Sequence, residues 1–158
     1  MNFDHLHPAI VHFPIALFIT VALLGIVSLF KETLFLKRMI FWLFAIAILF
    51  AVLAIASGLY EEDRIAHNEA IHEIMEKHET NAFIVAGYFV ALFIWFWLRK
   101  KIVRKAEFTI WVILVVAGCG LLAYQNDLGG QMVYDHGAAV KPMQHQLEQE
   151  SGHDHHSE

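Results

Sequence analysis

Eleven histidines in 158 residues are the side chains of this sequence best suited to chemistry. Three stretches carry them. His5, His7 and His12 come first, His67, His72 and His78 stand before the third apolar block, and His136, His145, His153, His155 and His156 follow the fourth. Neutral imidazole is the commonest protein ligand for iron, copper and zinc. Nearby carboxylates can orient the second ring nitrogen or join the ligand set. Glu69 and His72 form a Glu-x-x-His pair, and Glu76 lies four residues beyond His72, so the three share a helix face. That makes His72 a candidate metal ligand. The same pair occurs in di-iron bundles, but here it appears once and the apolar blocks hold no carboxylate, which argues against a ferritin-like centre.

His12 interrupts an otherwise apolar block, where a polar ring needs a partner. His78 stands at the mouth of the third block. Ala82 and Val85, four and seven residues on, give it a small apolar face that could lie under a planar ligand. Other chemistries lack their residues. There is no nucleophile triad, no phosphate-binding glycine loop and no Cys-x-x-Cys-His for covalent haem attachment. The single cysteine, Cys119, excludes a disulfide framework and reads as a small packing residue. Net charge is −5 with no basic tract of nucleic-acid character.

The elements that must position these histidines are membrane spans. Apolar residues make up 58% of the chain and charged residues 17%, against roughly 45–50% and 25% in soluble domains. The excess lies in four uncharged blocks, Pro8–Phe30, Met39–Leu59, Asn81–Leu98 and Phe108–Asn126, of 23, 21, 18 and 19 residues. About 20 helical residues cross a hydrocarbon core of about 30 Å. The first block reads as a span and not as a cleavable leader.

Loop charge sets the orientation. Lys31–Arg38 carries a net +2 and Arg99–Glu107 a net +4, while Tyr60–Thr80 carries −5 and the segment after Asn126 another −5. Short basic loops stay in the cytoplasm. The expectation is an all-α, transmembrane, antiparallel four-helix bundle in the cytoplasmic (inner) membrane, with both termini on the outer side. Trp42, Trp95, Trp97 and Trp111 near the inner ends, and Tyr60 and Tyr124 near the outer ends, read as interfacial anchors.

Residues 1–140 read as one four-span domain, and 141–158 as a flexible His- and acid-rich tail. No strong internal sequence repeat is visible, although two hairpins facing the same way are implied. Gly25 and Ser28, the alanine-rich run Ala45–Ala56 with Ser57 and Gly58, and Gly118 with Gly120 permit close helix approach. Glu61–Thr80 reads as a helical outer extension that runs into the third span without a break. Pro14 removes a backbone donor and predicts a kink just past His12. Asn126–Gly130 reads as a turn that sends Met132, Val133 and Tyr134 back over the bundle, an ordered cap over 129–140 placing His136 near His7 and His12.

The stretch His7-Pro8-Ala9-Ile10-Val11-His12-Phe13-Pro14-Ile15-Ala16-Leu17 resembles the opening motif of a bacterial family of four-span membrane proteins of unknown function, labelled DUF2231. The resemblance continues at Ala56-Ser57-Gly58, at Glu76-Lys77-His78-Glu79 and from Gly129 to Val140, and covers roughly residues 5–140. It implies that His7, His12, His78 and His136 are the functional histidines. Pro8, Pro14, Gly129, Gly130, Tyr134 and Gly137 would frame them. His72 matches no family position. Association of family members with cytochrome-type or other redox modules implies an electron-transfer setting.

Together these readings give a leading expectation of a haem b-binding membrane protein that transfers electrons at the outer face. His12 and His78 are the first-choice axial pair, and His7 and His136 serve a second iron, a propionate or the surroundings of the ligands. The alternatives are a non-haem copper, zinc or iron site made by the same four histidines, and a structural or partner-docking membrane subunit without cofactor. Candidate partners are the lipid bilayer, a redox protein, a quinone, and a second copy of the chain in a homo-oligomer. Whether a reaction is catalysed is left open by the residues themselves.

Overall fold

A computed structural model describes residues 6–62, 69–99, 104–135 and 137 of the chain. Among them every regular element is helical: α1 (Leu6–Phe30), α2 (Leu34–Glu62), α3 (Glu69–Arg99) and α4 (Lys105–Tyr134). All four are long and apolar enough to cross a membrane. Helix suits that solvent because every interior N–H and C=O is bonded within its own segment. Thr33 caps α2 by accepting the Leu36 N–H at 3.2 Å. α1 runs unbroken through the buried Pro14.

Each helix packs against two others, in the cyclic order α1, α2, α3, α4 and back to α1. The core is aromatic. Phe18 stacks on Phe89 with ring centroids 3.9 Å apart, and Phe44 meets both edge-on. Small residues let the helices close. A Cβ added at Gly118 would lie 2.8 Å from Phe89 and Tyr88, and one at Gly25 would lie 3.2 Å from Val112. Gly120 has open space instead. The outward-facing side chains are apolar, among them Leu23, Leu49, Ile84 and Ile113, as lipid contact requires.

Two expectations are corrected here. The chain does not turn at Gly129-Gly130; α4 continues as helix to Tyr134, and positive φ among the described residues occurs at Gly137 (66°). Helical glycine costs about 1 kcal/mol relative to alanine, but at Gly129 the missing Cβ makes room for the His78 ring. Met132 consequently packs beside Ile71 and Met75 of α3, while Tyr134 is 89% exposed. Trp111 is no interfacial anchor: it is buried, and its indole N–H donates to the Leu92 carbonyl at 2.9 Å. Within Glu61–Thr80, Glu61 and Glu62 end α2, 63–68 lie outside the described residues, and the described remainder is helical. From Glu69 onward α3 is continuous, as the absence of a stop signal implies.

Candidate functional site

Two histidines, one early in α1 and one in α3, are each seated on the helix that follows their own. His7, in the first turn of α1, reaches the late turns of α2. Its Nδ1 lies 3.0 Å from the Ala54 carbonyl and 2.9 Å from Ser57 Oγ, and the Ser57 hydroxyl itself donates to the Ala54 carbonyl at 2.8 Å. A carbonyl only accepts, so the His7 proton is assigned to Nδ1 from these partners. The ring lies against Gly58, where a Cβ would stand 3.0 Å from His7 Cε1.

His78, in the third turn of α3, has a parallel setting on α4. The Gln125 amide donates to the His78 carbonyl at 3.0 Å and to His78 Nε2 at 3.1 Å. Asn81 Nδ2 donates to Gln125 Oε1 at 2.6 Å. The His78 carbonyl fixes which end of the amide is nitrogen, so Nε2 accepts and the proton of neutral His78 is assigned to Nδ1. That Nδ1 is buried and has no hydrogen-bond partner among the described residues. The ring lies against Gly129, where a Cβ would stand 3.2 Å from Cε1.

The other candidates sit elsewhere. His12 is exposed. Five residues on a helix turn about 140°, which carries it off the face that His7 shares with α2. His72 is exposed on α3. His136 lies outside the described residues. Among the described residues, no group of three or more His, Cys, Asp or Glu could hold a metal ion. Val85, read as a floor for a planar ligand, lies in the core.

Asn81, Gln125 and the Ala54–Ser57 hydroxyl–carbonyl pair are the site residues that the sequence reading passed over. Their signal was present. Gln125 is a buried amide inside an apolar block, and a polar side chain at such depth needs a partner. Asn81 also lines an open groove of ≈460 Å³ with Lys77, Thr80, Ile84 and Tyr124, so the polar chain from His78 reaches the surface.

Comparison with curated proteins and with solved structures finds no match. A family model, a predicted membrane protein family labelled DUF2231, matches residues 4–142. It spans all four helices and both histidines of the pair, and the chain belongs to the DUF2231 family of predicted membrane proteins.

Proposed function

We propose that this protein binds haem b at the outer face of the cytoplasmic membrane and passes electrons there, with His7 and His78 as the pair that holds the iron. The observation that carries the reading is the placement of two imidazoles. They come from different helix pairs, and each lies against a glycine, Gly58 for His7 and Gly129 for His78. This replaces His12 with His7 in the axial pair.

The residues fit such a group in two respects. His7 is oriented through Nδ1 on a backbone carbonyl, the bond that steers a ligating imidazole and raises its basicity. His78 Nδ1, which carries the ring proton, is buried and unbonded within the described residues, a donor left for an acceptor on the bound group. One contact has to yield, because the Gln125 amide occupies His78 Nε2. Bound there, the haem would supply one-electron redox chemistry. His7 and His78 would hold and orient it, and the surrounding apolar helices would keep water out.

The antiparallel arrangement is supported by contacts whose numbering runs in opposite directions: His7 with Ala54, Phe13 with Phe50, Phe18 with Phe44. Basic loops between α1 and α2 and between α3 and α4 support a reading with those ends in the cytoplasm and both termini outside. Electrons would then be exchanged with a quinol in the bilayer or with a basic redox protein steered to the acidic outer segments.

Extraction in mild detergent from haem-replete cells is the test. The expected result is a reducible Soret and alpha band, lost in His7→Ala and His78→Ala and retained in His12→Ala. A colourless wild-type protein overturns the reading. Stoichiometric copper or zinc without iron would move the assignment to a non-haem site.

A further inference from the structure

The two helix pairs repeat in register. His7 and His78, Ala54 and Gln125, and Gly58 and Gly129 are each 71 residues apart. Each histidine bonds the residue 47 positions further along the chain, Ala54 for His7 and Gln125 for His78. α2 starts at Leu34 and α4 at Lys105, the same 71 apart. Buried positions recur at that spacing, as in Val21 and Leu92, Ile40 and Trp111, and Phe44 and Val115. The packing exchanges likewise: α1 on α2 corresponds to α3 on α4, and α1 on α4 to α3 on α2. Over residues 6–62, the types retained at this spacing are His7, Phe18, Leu43 and Gly58 alone.

Equivalent residues of a two-fold pair touch only near the axis. Phe18 and Phe89, again 71 residues apart, stack at 3.9 Å with their planes 12° apart. An axis therefore passes beside this stack. His7 and His78 precede Phe18 and Phe89 by 11 residues each. That is about three turns, so each histidine stands on the axis-facing side of its helix, about 16 Å along it. His12 precedes Phe18 by 6 residues, about 240° away around the helix.

We infer that the chain is a duplicated helix pair with an approximate two-fold axis, and that His7 on Gly58 and His78 on Gly129 are the two equivalent arms of one ligand site on that axis. The site suits a ligand that presents the same chemistry to both sides, a planar metal-centred cofactor. Only this choice of ligand rests on the haem reading; the two-armed site does not. At the site itself the halves differ in what holds the ring. Where the first has Ala54 and Ser57 the second has Gln125 and Leu128, so one ring is held by a main-chain carbonyl and the other by an amide side chain.

The test uses full-length protein carrying Cys119→Ser. His7→Cys combined with His78→Cys should close within one chain when treated with a short bifunctional maleimide, read as a mobility shift. His12→Cys with His78→Cys should close far less. Failure of the first pair to close overturns the shared site, whether or not the wild type holds haem. Closure with a colourless wild type supports the shared site and overturns the haem reading alone. Where haem is present, His7→Ala and His78→Ala should lose it equally; loss in one variant only overturns the two-armed site. Should the paired cysteines not fold, single His7→Gln and His78→Gln variants with labelled histidine give the same answer. Each should shift the imidazole resonances of the other, and no shift in either overturns the inference.

Discussion

The Gln125 amide spans two bonds to one residue, donating to both the backbone carbonyl of His78 at 3.0 Å and its ring Nε2 at 3.1 Å. A side chain held at two points by one amide has its tautomer set by the protein. Gln125→Leu should therefore free Nε2, strand Asn81 and destabilise the protein by about 1–3 kcal/mol. Imidazole nitrogen shifts of labelled His78 check the first effect, and thermal unfolding in detergent checks the second. Unchanged shifts would mean that another group sets the tautomer.

Glycines on α4 should divide by what surrounds them. A Cβ at Gly118 would lie 2.8 Å from two aromatic rings, whereas at Gly120 it would meet nothing within 4 Å. Gly118→Ala should cost about 1–3 kcal/mol through overpacking. Gly120→Ala should be neutral or stabilising by up to about 1 kcal/mol, since alanine is the better helix former. Thermal denaturation of the two variants side by side decides it.

The stack of Phe18 on Phe89 joins α1 to α3 across the centre of the fold. Either residue changed to alanine should destabilise by about 3–5 kcal/mol. In the double-mutant cycle the pair should couple by about 0.5–1.5 kcal/mol. Strict additivity would show that the rings do not meet.

Between α1 and α2 the Lys37 ammonium is bonded to Glu32 and holds that carboxyl below the ordinary carboxylate range. A carboxyl lowered on folding contributes stability that is fully present above its ordinary pKa and lost as pH falls through the lowered one. Glu32→Gln should accordingly abolish that part of the acid sensitivity and leave neutral-pH behaviour nearly unchanged, since exposed pairs contribute little. Unfolding midpoints of both proteins at neutral and acid pH test this, and parallel curves would refute it.

Membrane-spanning length is a local property, so four spans could be counted from unbroken apolar runs, and all four appear as helices. The clustering of histidines at the starts of the first and third spans was legible for the same reason, because position along a helix translates directly into depth. Rotation about the helix axis was not legible. The first span is apolar all round and no stripe marks its inner face, so depth alone favoured His12 over His7. The packing of α1 on α2 brings His7 onto Ala54, Ser57 and Gly58. Gly129 shows the same division: a glycine before a polar stretch reads as a turn, and only the approach of His78 from α3 reveals it as a space-filling requirement within a helix. The repeat was hidden by chemistry as well. Inside lipid-facing helices one apolar residue substitutes readily for another of similar fit, so Ile40 could drift from Trp111 and Phe44 from Val115 while each position stayed buried. Residue identity persisted at Leu43 and at His7, Phe18 and Gly58, the last three of which bond across, stack on the axis or leave room for a ring. That relation depends on contacts 47 and 71 residues apart in the chain, which a sequence read along one dimension does not contain.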